Sequence, residues 1–156
     1  MNNIEVSAFI ADSAELIQGK IYALGIGWNS IFTEQFPCTH ARMALGILIA
    51  VPYTATNHNH KLTVTLQTED GQKVALQNQV QPNGEINVTS EVDANFNMGR
   101  PPLLPAGDLQ ILPIALTFDQ LRFEQQGVYT WVIEINGTQM ARMPIRVSQL
   151  NAPQRI

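Results

Sequence analysis

Two histidines spaced two apart, in Asn57-His58-Asn59-His60, form the most metal-like arrangement in the chain. On an extended segment His58 and His60 project to the same side, and neutral imidazole suits zinc, copper or nickel. A closed site would need further ligands, with His40 or a carboxylate such as Asp12 as candidates. The competing reading makes the run a polar turn between two strands, and a chain of this length needs no metal to fold. The expectation is no metal and no cofactor, with His58 and His60 the residues to watch.

Arg100 stands between Gly99 and Pro101-Pro102. A guanidinium on so stiff a loop presents a fixed fork of donors matched to a carboxylate or phosphate. The alternative is that it pins the loop to the body of the protein, and that reading is preferred, because an ordered loop must satisfy its polar backbone. Trp28, followed by Asn29-Ser30, is either a core residue or a rim aromatic for ligand stacking, and the core is preferred. Asp12 precedes Ser13-Ala14-Glu15, where it would cap a helical turn or line a cleft. Asp12, Trp28, Asn57, His60 and Arg100 are together the candidate ligand-binding residues.

No catalytic constellation accompanies them. The chain has no Gly-x-Ser-x-Gly turn and no phosphate loop ending in Lys-Ser/Thr, and Gly25-Ile26-Gly27 lacks the third glycine of a dinucleotide site. The lone Cys38, two residues from His40, reads as an inert, partly buried thiol. No catalytic residue is assigned.

The elements that must position these residues read as strands. Leu62, Val64 and Leu66 alternate with Thr63, Thr65 and Gln67; Tyr129, Trp131, Ile133 and Ile135 share one parity, as do Met143, Ile145 and Val147. Residues 43–51 and 109–118 are apolar at both parities, as for strands covered on both sides. Gly46 with Ala44 and Ala50 makes one face of the first thin, suited to close packing by another part of the chain or by a partner. Asn136-Gly137, Glu69-Asp70-Gly71-Gln72, Gln18-Gly19 and Pro82-Asn83-Gly84 mark turns. The proline-rich stretch 95–108 reads as a long ordered connection. Only residues 13–18 and 118–125 offer a helical turn. The expectation is an all-β, single-domain antiparallel β-sandwich over residues 1–156, immunoglobulin-like or a similar Greek key, with eight or nine strands.

Composition narrows the partners. Hydrophobic residues make up 45% and charged ones 14%, which argues for a packed domain over disorder. The net charge is −4, and the basic residues, from Lys20 to Arg155, are scattered along the sequence. On that ground nucleic acid is excluded as a partner. The longest apolar run, 43–51, is far short of the ~20 residues of a membrane helix, and the amino terminus lacks a secretory pattern. A cytoplasmic location with no membrane partner is expected.

Several motifs taken together, Gly19-Lys20 leading to Leu24-Gly25-Ile26-Gly27-Trp28, then Val51-Pro52-Tyr53, Gly99-Arg100-Pro101-Pro102 and Gly127-Val128-Tyr129-Thr130-Trp131, resemble a family of small uncharacterised bacterial proteins classed as a domain of unknown function. The resemblance spans nearly the whole chain. It implies a bacterial, non-secreted, single-domain protein and no particular activity. The functional expectation is a non-catalytic interaction or assembly module with protein partners or self-association. A small-molecule or carbohydrate binder is the alternative, and a metal-dependent enzyme the third reading.

Overall fold

Alternation along Leu62–Leu66, Tyr129–Ile135 and Met143–Val147 sends one side chain in two to a common interior, and the strands form accordingly. A computed structural model describes residues 3–80 and 82–150. It is all-β, with several sheets. One sheet has three strands in the order β1 (Glu5–Ala11), β5 (Cys38–Val51), β10 (Gln110–Phe123), all antiparallel. A second has five, in the order β4 (Ser30–Thr33), β12 (Thr138–Gln149), β11 (Gly127–Ile135), β6 (His60–Gln67), β9 (Val92–Phe96). Two hairpins stand apart: β2 (Ser13–Ile17) with β3 (Lys20–Leu24), and β7 (Gln77–Val80) with β8 (Ile86–Thr89).

Both larger sheets contribute to one apolar cluster. Met43, Leu45, Ile47, Ile49 and Phe118 come from the first, and Leu62, Val64, Leu66, Trp131, Ile133 and Ile145 from the second. Trp131 is fully buried. Its ring lies 4.8 Å from that of Phe118, and its indole N–H donates to Met43 Sδ at 3.2 Å, so the polar atom of a large side chain is satisfied inside the core. Tyr129 Oη donates back to the Gln125 carbonyl at 2.6 Å, closing the corner that leads into β11.

The strand count is twelve among the described residues, above the expected eight or nine, and pairing is not wholly antiparallel: β4 runs parallel to β12. The expected helical turns at 13–18 and 118–125 are absent, their places taken by β2 and the end of β10. Each misreading has a local cause. Ser13–Ile17 folds back on β3 through Gln18-Gly19, both at positive φ (50° and 74°). In β10, Gln120 at φ 56° resets the alternation, so that Phe118 and Leu121 are both buried three residues apart. That spacing mimics a helix. Arg155 lies outside the described residues.

Candidate functional site

Three of the five candidate residues meet at one end of the molecule, just past β5. Pro52 ends that strand, and residues Tyr53–Ala55 make a short 3-10 turn. Thr56 is buried and its hydroxyl donates to the Tyr53 carbonyl at 2.6 Å. Asn57 then takes a positive φ of 60° and gives its backbone N–H to the Met98 carbonyl at 2.7 Å. His60, the first residue of β6, is only 8% exposed.

Hydrogen bonding fixes the state of that imidazole. Nε2 lies 2.8 Å from the Ala55 carbonyl, which can only accept, so Nε2 carries the proton. Nδ1 is then the acceptor, and takes a bond from the Asn136 side-chain amide at 3.0 Å. Asn136 is itself held, because its Oδ1 accepts the Lys61 N–H at 2.9 Å. Both ring nitrogens are spent, so His60 offers a metal nothing without losing a tie. His58 stands edge-on to it at 6.5 Å. No group of three or more His, Cys, Asp or Glu placed to hold a metal ion occurs among the described residues.

Arg100 is tied to the same turn. Its Nε donates to Thr56 Oγ1, an Nη donates to the Tyr53 carbonyl at 3.2 Å, and Cζ sits 3.9 Å above the Tyr53 ring. The guanidinium therefore clamps the long connection that follows β9 onto the turn that follows β5. Beside this clamp lies a cleft of about 600 Å³, walled by Ile4, Thr54, Ala55, Ile135, Asn136 and Met140. No spacing announced it: Ile135 is an ordinary strand residue, and Asn136 carries a turn signal.

Trp28 and Asp12 lie elsewhere. Trp28 is half-buried, 5.6 Å from the His40 ring, and its indole N–H is buried with no partner. It lines a second cleft of about 410 Å³ with Phe9, Ile26, Asn29, Arg142 and Pro144. Asp12 caps no helix, since β2 follows it. Its backbone N–H donates to the Leu24 carbonyl at 3.0 Å, and its carboxylate rests against Gly25, where a Cβ would meet Oδ2 at 2.2 Å. His40 and Val51 are near opposite ends of β5, about 35 Å apart along an extended strand. The five candidates thus form two groups and not one pocket. Cys38 is half-buried against the core.

A surface feature stands out more than either cleft. Leu45, Ile47 and Ile49 of β5 point into the core, while Ala44, Gly46, Leu48 and Ala50 point outward. On this outer face the Phe9 ring lies across Gly46, so closely that a Cβ there would come within 2.0 Å of it. The β2–β3 hairpin covers the Ala44 end, packing Ala14, Ile21 and Ala23 near Ala115. Beyond the hairpin the face is open: Leu48 and Ala50 are half-buried and Ile111 is exposed. The hairpin itself exposes Leu16, Ile17, Tyr22 and Leu24, the last at 74%. The signal was present in the sequence as runs apolar at both parities.

At the far end the same face turns polar. Arg42 Nε donates to Asp119 Oδ1 at 2.7 Å, and that bond holds the Asp119 carboxyl below the usual carboxylate range while raising the guanidinium. Burial pushes the Tyr129 phenol up, with its bond to Gln125 opposing.

Comparison with known proteins adds a family and little else. The family model described as a family of unknown function (DUF6941) matches residues 6–148. No curated protein matches. Among solved structures, Pseudomonas fluorescens alkylpurine DNA glycosylase AlkC, bound to DNA containing an abasic site analog, matches with a TM-score of 0.46 at 10% identity. The match covers 92% of this chain and 30% of that one. So loose a likeness carries nothing about what this chain binds. The exclusion of nucleic acid is nonetheless withdrawn, on the chain's own charges. The physical fault in that exclusion is that neither net charge nor order along the chain says which basic groups are left unpaired on one face once four of them are held in ion pairs. No helix among the described residues is long and apolar enough to cross a membrane.

Proposed function

We propose that this chain, which belongs to the DUF6941 family of unknown function, is a non-catalytic interaction or assembly module of the bacterial cytoplasm. The architecture that goes with this reading is an immunoglobulin-like or Greek-key sandwich. The core cluster shared by the three- and five-stranded sheets and the backward bond from Tyr129 both support it. The observation that carries the functional reading is the outer face of the three-stranded sheet. Burial of apolar area is the main driving force for association, and here Leu48 and Ala50 are only half-buried and Ile111 is exposed, on a sheet whose covering hairpin itself exposes Tyr22 and Leu24. A second copy of the chain is the simplest occupant.

Sedimentation velocity on the wild type and on Leu48→Ser/Ile111→Ser tests this. The expected result is a mass that grows with concentration in the wild type and stays at one chain in the variant. A wild type that remains monomeric throughout its soluble range would sink the assembly reading.

A second reading, a small-molecule binder, rests on the 600 Å³ cleft. Its size suits a drug-sized molecule, for which sites span roughly 300–1,000 Å³. Its apolar walls of Ile4, Ile135 and Met140 carry Asn136 and Thr54 as polar edges. Ligands that raise the melting temperature of the wild type but not of Met140→Trp would support it. A broad screen with no stabilising compound would count against it.

A further inference from the structure

The outer face of the five-stranded sheet differs from the face just described in carrying free positive charge. Four basic side chains are neutralised by ion pairs: Arg42 by Asp119, Lys61 by Asp93, Lys73 by Glu91 and Arg122 by Glu124. Arg100 is engaged by Thr56 and Tyr53. Among the described residues that leaves Lys20, Arg142 and Arg146 without a side-chain bond of any kind.

Two of these three share one strand face. Ile145 and Val147 of β12 are buried in the core, so Arg142, Pro144, Arg146 and Ser148 point outward. At ~3.3 Å per residue the two guanidinium-bearing positions stand about 13 Å apart. The parallel pairing of β4 sets Ser30 beside Arg146 and Phe32 beside Ser148, on the same face. Phe32 is 64% exposed, unusual for a large aromatic side chain on a paired strand. Ahead of the start of β4 the strip continues into the cleft that Arg142 shares with Trp28 and Asn29, where the indole N–H has no partner. The carboxylates nearest in the pairing, Glu134 on β11 and Glu34 just past β4, form no ion pair with either arginine.

We propose that this strip binds single-stranded nucleic acid. Arg142 and Arg146 take backbone phosphates, a geometry the guanidinium fork suits. Phe32 stacks an unpaired base, and Ser30 and Ser148 offer hydroxyls between. Proteins that hold single strands without sequence preference combine these two elements, a positive track and an aromatic platform. An exposed ring on a sheet face favours a single strand over a duplex, whose bases are already stacked on one another.

The test is fluorescence anisotropy with a labelled oligothymidylate and its ribo-counterpart, read across a salt series, with a hairpin duplex and heparin as competitors. The wild type should bind with a slope of log K against log salt of about −1.4, the value for two phosphates on a single strand. Each of Arg142→Gln and Arg146→Gln should reduce that slope by about half, and the double variant should abolish binding. Phe32→Ala should weaken binding about 5- to 160-fold at unchanged slope. Lys20→Gln, on the hairpin, should change nothing. All these positions are exposed, and unchanged melting curves would confirm that the variants fold. No binding at low salt, binding untouched by Arg142→Gln/Arg146→Gln, or heparin and duplex binding as tightly as the single strand with Phe32→Ala silent would each overturn the proposal.

Discussion

The outward faces of the two larger sheets are made from the same kind of strand yet present opposite chemistry. On the three-stranded sheet the outward positions include Phe9, Leu48, Ala50, Ile111 and Pro113, with Ser7 and Glu5 beside Leu48 and Ala50 on the β1 edge and Arg42 and Asp119 at the far end. On the five-stranded sheet they include Thr63, Thr130, Arg142, Arg146 and Ser148, around a buried pair, Thr65 and Val132. The first face needs cover, and the β2–β3 hairpin supplies part of it. The second is suited to water or to a charged partner. The difference is a matter of period: alternation puts polar residues on the outer side, whereas the runs apolar at both parities in β5 and β10 put apolar residues on both sides.

The sharpest way to challenge that contrast is to empty an inward position. Trp131 fills the space between the sheets, against Phe118 and Met43. Trp131→Ala should cost roughly 3–5 kcal/mol in urea unfolding, through the cavity it leaves. A loss under about 1 kcal/mol would mean that the shared core is looser than its burial implies.

Outward positions should then separate the two faces. Gly46→Ala puts a methyl group where the Phe9 ring lies, and overpacking of this kind costs roughly 1–3 kcal/mol. In a Phe9→Ala background most of that cost should vanish, because the two sites share one volume. Thr130→Ala, outward on the other sheet, should cost less than about 1 kcal/mol. Equal losses at Gly46 and Thr130 would erase the distinction between the faces.

These positions also show what could be read from sequence. The inward sets of β6, β11 and β12, the Asn136-Gly137 hairpin and the double-sided character of β5 were legible because each follows from a short-range rule. The different partners of β8 and β9, and the parallel partner of β12, depend on contacts between residues apart in the chain. The candidate site was legible only as residue types. Asn57, His60 and Arg100 do converge, but what joins them is a set of ties to Ala55, Tyr53, Thr56 and Met98, and no spacing in the sequence announces those. Arg100→Ala should accordingly act through order more than stability. It loses a cation–π contact and two hydrogen bonds at an exposed site, worth about 1–2 kcal/mol together, and should expose residues 97–109 to proteolysis. If protease sensitivity is unchanged, the clamp is not what orders that connection.

The smallest effect belongs to the polar end of the apolar face. Arg42 and Asp119 are both more than half exposed (58% and 55%), so solvent and salt screen most of their attraction. The Asp119 carboxyl is held below its ordinary value by the Arg42 hydrogen bond. A group whose folded pKa is depressed contributes stability above its unfolded value, near 3.9 for Asp, and loses it as pH falls through the lower folded value. Wild type and Asp119→Asn should therefore differ slightly at neutral pH, and their stabilities should converge in acid below about pH 4. Added salt should close the gap at neutral pH as well. A difference that stays constant from neutral to acid pH would show that the ion pair does not form in solution. The polar end of the face would then owe nothing to the charge on Asp119, and the boundary between covered and solvated sheet would have to be set by the hairpin alone.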